Sequence, residues 1–125
     1  MIRTLVSIIV TLALIATLSI YEMWYVHSTF NVFHETLESL REKAEKETAT
    51  LEDGRAIQLF WDKQKEILHV WLPHTILQEV DYQLDEAVGF IYTQSYEDAI
   101  SKIEVLIGIS EHIPMSYTFA VQNIF

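Results

Sequence analysis

Thr4-Leu-Val-Ser-Ile-Ile-Val-Thr-Leu-Ala-Leu-Ile-Ala-Thr-Leu-Ser-Ile-Tyr21 runs eighteen residues without a formal charge, with only Arg3 and the amino terminus charged ahead of it. At about 1.5 Å per residue a helix of this length covers about 27 Å, close to the hydrocarbon thickness of about 30 Å. Ile2 extends the run on one side. On the other, Tyr21, Trp24 and Tyr25 are rings of the kind that settle at headgroup level. The ten Leu, Ile and Val side chains between Leu5 and Ile20 favour insertion by about 3 to 6 kcal/mol together. Ser7, Thr11, Thr17 and Ser19 reduce this little, because helical hydroxyls bond back to their own backbone.

The segment therefore reads as a membrane anchor through residues 2–21. A cleaved secretory signal has a similar opening, but its apolar core is shorter and ends at a small-x-small site. Here the run is followed by bulky aromatics instead. Arg3 lies ahead of the span, whereas Glu22, Glu35 and Glu38 follow it before Arg41. Positive-inside logic predicts a single-pass plasma-membrane protein with a cytoplasmic N-terminus and an extracytoplasmic C-terminal domain. The sequence divides into an anchor with its aromatic belt (1–25) and an acidic helical domain (26–125).

Working outward, the whole chain holds 8 Lys and Arg against 18 Asp and Glu, a net charge of −10. All but Arg3 lie beyond the span, so the domain repels nucleic acid and anionic headgroups. It is expected to stand off from an acidic bilayer and to favour cationic partners or divalent ions. There is no cysteine, so disulfides and thiol chemistry are excluded and stability must come from packing. With 50% apolar residues, about a hundred residues can bury one core.

No Gly or Pro occurs before Gly54, and Phe30, Phe33, Leu37, Leu40, Ala44 and Leu51 recur at helical spacing. A first helix continuing out of the span is expected, with a break conceivable at Ser28–Asn31, where β-branched residues and Asn cluster. Asp53-Gly54 is expected to form the turn into helix two. That helix carries Ala56, Ile57, Phe60, Trp61, Gln64, Ile67, Leu68 and Trp71, a spacing that makes Trp61, Trp71 and Phe60 core residues. Pro73 ends or bends it.

Helix three follows with Ile76, Leu77, Val80, Leu84, Ala87, Val88 and Ile91. Ser95 and Asp98 suggest a capping box opening helix four, which Pro114 should close. Asp53-Gly-Arg-Ala-Ile57 and Ser95-Tyr-Glu-Asp-Ala-Ile100 echo each other as the openings of paired hairpins. Gly89 is expected near Ala99, allowing close backbone approach. The fold class is thus all-α: one transmembrane helix, then a small antiparallel bundle of about four helices in two hairpins, with a short C-terminal tail. The apolar tail, Met115 to Phe125, is expected either to pack back on the bundle as an extended piece or short helix, or to dock on another protein. The heptad-like stripe from Phe30 to Leu51 could alternatively pair with a second copy.

Candidate chemistry is sparse. Glu66 and His69 lie three apart, a spacing that di-metal bundles use twice with further carboxylates; here it occurs once. Together with His74 and Asp81 these form the weak candidate set for a metal such as zinc. Asp81 and Asp85 lie four apart on one helix face and could share acid and base work. Against that, Asp85 and Glu86 belong to the wet side, and Asp81 at the boundary can bond a neighbouring helix. Among His27, His34, His69, His74 and His112 no His-x-x-x-His pair occurs. There is no Gly-x-Ser-x-Gly and no glycine-rich phosphate loop. No catalytic residue, cofactor or metal is assigned. The expected role is a non-enzymatic interaction module that binds a protein partner or itself, and the rival is a divalent-ion or ligand sensor.

His74 … Val80-Asp81 … Leu84, Tyr96 … Ala99-Ile100, His112-Ile113-Pro114 and Asn123-Ile124-Phe125 together resemble an uncharacterised family of short proteins of Gram-positive bacteria. Its members have one N-terminal span and a helical remainder and are known as a domain of unknown function. The resemblance covers essentially the whole chain. It implies a bacterial plasma-membrane location and brings no activity, substrate or catalytic residue. It suggests packing roles for His74, near the start of helix three, and for Asn123, tying the tail to the bundle.

Overall fold

The computed structural model describes the backbone of residues 1–124 and the side chains of residues 1–113. It contains four helices, α1 (Ile2–Glu45), α2 (Leu51–Leu68), α3 (His74–Tyr92) and α4 (Tyr96–Ile124). Short turns join them, so each runs antiparallel to the last. α1 packs on α2 and α4, and α3 packs on the same two helices, closing an up-down-up-down bundle.

α1 is one uninterrupted helix of 44 residues. The break conceivable at Ser28–Asn31 is absent, because Val26, Thr29, Phe30 and Phe33 are all buried there and their packing outweighs the modest helix penalty of β-branching. The boundary drawn between residues 25 and 26 therefore coincides with no backbone break. Residues 2–21 project from the bundle with none of their apolar window buried; the end they leave from is the stem end. The helix is long and apolar enough to cross a membrane.

Beyond Tyr25 the same helix contributes Val26, Phe30, Phe33, Leu37, Leu40 and Ala44 to a single core. α2 supplies Ile57, Trp61 and Leu68, α3 supplies Leu77, Val80, Leu84, Ala87 and Ile91, and α4 supplies Ala99, Ile103, Leu106 and Ile113. The stripe that might have paired with a second copy is thus spent within the chain. Leu51, assigned from sequence to that stripe, opens α2 instead.

The turn expected at Asp53-Gly54 lies earlier. α1 closes with Thr48 N–H donating to Lys43 O at 2.8 Å and Glu47 N–H to Ala44 O at 3.0 Å. This is a Schellman turn with Glu47 in the left-handed region at φ 58°. Thr50 then caps α2: its side chain accepts from Asp53 N, and the Asp53 carboxylate accepts from Thr50 N at 3.0 Å, a capping box. Gly54 is an ordinary helical residue. It is small because a Cβ there would stand 3.0 Å from Val88 Cγ2, so the Val88 side chain packs directly on the Gly54 backbone. Gly89 has nothing within 4 Å of an added Cβ, which overturns the approach expected between Gly89 and Ala99.

The second turn at the far end repeats the first. Ser95 N–H donates to Phe90 O at 2.8 Å and Gln94 N–H to Ile91 O at 3.0 Å, with Gln94 at φ 60°. The sequence echo therefore has a structural basis in a different register: Thr50-Leu-Glu-Asp-Gly54 and Ser95-Tyr-Glu-Asp-Ala99 each begin just before a helix. Tyr96 Oη donates to Ala49 O at 3.4 Å, joining the two turns.

At the stem end α2 stops at Leu68, and Pro73 occupies the cap position of α3 with no side-chain cap. His74, the first helical residue, therefore does not cap the helix. Pro114 does not close α4, whose backbone stays helical to Ile124. A proline withholds its own N–H from the Ser110 carbonyl, which costs the helix one bond without ending it. The packing expected of the tail, and the tie assigned to Asn123, fall outside the described side chains.

Candidate functional site

The sequence candidates do meet. Glu66 and His69 at the end of α2, and His74 and Asp81 on α3, line one open cleft of about 280 Å³ together with Lys65 and Leu77. Antiparallel packing of the hairpin produces this, since the last turn of α2 faces the first two turns of α3.

Within the cleft, Asp81 is already engaged. Its Oδ1 accepts the Trp61 indole N–H at 2.7 Å, and both its oxygens accept from Lys65 Nζ at 3.2 Å. Asp62 stands 3.8 Å from the same ammonium. Trp61 is fully buried, and a buried indole N–H without an acceptor is costly. Asp81 thus serves as the polar tie between α2 and α3. His69 turns Nδ1 to the carbonyl of Glu66, its own helix neighbour. Among the described residues no three His, Asp or Glu side chains form a group able to hold a metal. Asp85 accepts from Gln58 Nε2 at 3.0 Å instead of pairing with Asp81, and Glu86 bridges to Lys102 at 2.7 Å. The cleft offers a neutralised ion pair and two imidazoles at its rim, with no nucleophile in contact with a base.

Two further ionic contacts on the surface tie helices together. His34 Nε2 lies 3.0 Å from Glu111 and 3.7 Å from Glu38, linking α1 to α4. Lys43 reaches Asp53 at 3.0 Å across the first turn. The Asp53 carboxyl is held below the ordinary carboxylate value, first by the Thr50 backbone N–H and then by Lys43.

A second grouping escaped the reading of the residues. Of the three helix-two aromatics assigned to the core, Trp61 is core, while Phe60 and Trp71 are only partly buried. Trp71 lies in the α2–α3 turn with its ring 6.5 Å from Tyr21 and 5.5 Å from Tyr25. Tyr25 also donates its hydroxyl to Gln64 of α2. The rings Tyr21, Trp24 and Tyr25 on α1 are therefore joined by a fourth, supplied by the α2–α3 hairpin. A signal for it existed: from Ile67 to Gln78 the chain has no Asp, Glu, Lys or Arg.

Comparison with protein-family models, with curated proteins and with solved structures found no match.

Proposed function

We propose that the chain is a membrane-tethered, non-enzymatic helical module that binds or stabilises a protein partner at the outer face of a bacterial plasma membrane. One observation carries the tether: a single helix is apolar over residues 2–21 with none of that stretch buried, and becomes part of the core of a bundle from Val26 onward. Water is a poor solvent for the first part and a good one for the rest. The bacterial plasma-membrane location is what the resemblance read in the sequence, to short Gram-positive proteins with one span and a helical remainder, implies. Arg3 ahead of the span and Glu22 after it support the orientation.

A partner-binding role is favoured over catalysis because the one cleft that gathers the candidate side chains is occupied by a structural Asp81–Trp61–Lys65 contact. The acidic surface selects a cationic partner. Crosslinking in native membranes followed by affinity recovery of the full chain should return one partner reproducibly; recovery of the chain alone counts against the reading. Orientation is tested separately. With no native cysteine, a Tyr92→Cys chain should react with a membrane-impermeant maleimide on intact cells. Labelling only after lysis would reverse the topology.

A further inference from the structure

The formal charges of the bundle are unevenly placed along its axis. At the far end the two turns carry Lys46, Glu47, Glu52 and Asp53 beside Glu97 and Asp98. The stem end is built from different material. Met23 to His34 on α1 and Ile67 to Gln78 around the α2–α3 turn contain no Asp, Glu, Lys or Arg. Glu22 on α1, Lys65 and Glu66 on the last turn of α2 and Glu79 on α3 border these uncharged segments. The turn at the tip of this end, Ile67 to Gln78, is itself free of formal charge.

That face is also apolar and uncovered. Val70 is 68% exposed, Ile67 46% and Trp24 63%, continuous with the exposed side chains of Ile20 and Tyr21. Trp71 is packed on Tyr21 and Tyr25, which fixes the turn at the level where the apolar run of α1 ends. His69-Val-Trp-Leu-Pro-His74 thus presents an apolar loop with a ring at the depth at which aromatic belts lie. A soluble surface would carry charge here, and an acidic domain standing off from lipid would need it.

We propose that the stem end is a second membrane contact, in which the α2–α3 turn rests in the headgroup boundary of the bilayer with Val70 inserted and Trp71 completing the belt begun by Tyr21, Trp24 and Tyr25. The occupant of the patch is lipid, because the patch is continuous with the span and shares its lack of charge. The inference rests on the tethered reading above and adds to it. The bundle sits down on the surface instead of floating on a stalk, and two points of contact fix its rotation about α1. Its acidic far end then faces outward, about 30 Å above the bilayer for helices of this length, as the surface left for a partner.

The full chain carrying a single nitroxide at Leu12→Cys, Val70→Cys or Tyr92→Cys is reconstituted in phosphatidylcholine vesicles, and collisions with oxygen and with a water-soluble nickel chelate are compared. Oxygen should dominate strongly at position 12, moderately at position 70, and the nickel chelate at position 92. If position 12 reports lipid and position 70 reports water like position 92, this inference fails and the tether stands. If position 70 is shielded from both reagents, protein covers the patch and the inference again fails. If position 12 itself reports water, the tethered reading fails and takes this one with it.

Discussion

Glu47 and Gln94 hold the left-handed positions of the two Schellman turns at φ 58° and 60°, where a Cβ is disfavoured by about 1 kcal/mol. Replacing either by glycine should raise the midpoint of denaturant unfolding, followed by tryptophan fluorescence, by up to about 1 kcal/mol of stability. A loss would show that the native side chain contributes more than its backbone strain costs. The glycines behave in opposite ways. Gly89 and Gly108 are exposed within helices and open to a Cβ, so alanine at each should stabilise by about 0.5 to 1 kcal/mol. Gly54 faces Val88 at 3.0 Å, so leucine there should cost about 1 to 3 kcal/mol through overpacking. At Asp53 the sign follows from its lowered value in the fold. The folded chain gives up this proton more readily than the unfolded chain, so the stabilisation is complete above about pH 4 and is lost as the pH falls through the lower folded value. Asp53→Asn should flatten stability across that acid window. A slope unchanged from the parent would locate the acid sensitivity elsewhere.

Between elements, the α2–α3 hairpin depends on one carboxylate. Asp81→Ala strands the buried indole N–H of Trp61 and frees Lys65, and should cost about 1 to 3 kcal/mol with a shifted Trp61 emission. Asp81→Asn keeps an acceptor for the indole and should recover much of that loss; equal damage from both would mean that the charge on Lys65 matters more than the indole bond. At this scale the sequence was legible where periodicity spoke and opaque where contacts across the bundle decided. Helices appeared from Phe30-Phe33-Leu37-Leu40 and from Val80-Leu84-Ala87, because burial repeats with the helix turn. Their ends were less legible. Asp53-Gly54 has turn chemistry, yet the chain turned at Glu47, a residue with no turn signature, because Schellman bonds and the Thr50 cap favoured that position. The cleft residues Glu66, His69, His74 and Asp81 could be placed on helices by spacing, but nothing along the chain shows that Asp81 meets Trp61 or that Trp71 meets Tyr21.

For the whole molecule, the exposed apolar segment and the core occupy separate stretches of chain: residues 2–21 contribute nothing to the buried cluster, which begins at Val26 and runs to Ile113 among the described residues. Stability of the bundle should therefore be independent of the anchor even though the two share a helix. A chain beginning at Glu22 should keep a cooperative near-ultraviolet transition with a midpoint close to that of the full chain in mild detergent. Loss of cooperativity would mean that the span nucleates the bundle, for instance by ordering α1 before α4 can dock. The same truncated chain carries the exposed α2–α3 turn, uncharged from Ile67 to Gln78, into water. It should sediment with phosphatidylcholine vesicles, and a Val70→Asp substitution on the exposed turn should abolish that while leaving the melting curve in place. Sedimentation unaffected by Val70→Asp would assign the lipid contact to other apolar residues of that end, whereas a truncated chain that ignores vesicles altogether would leave the anchor as the sole attachment to the membrane.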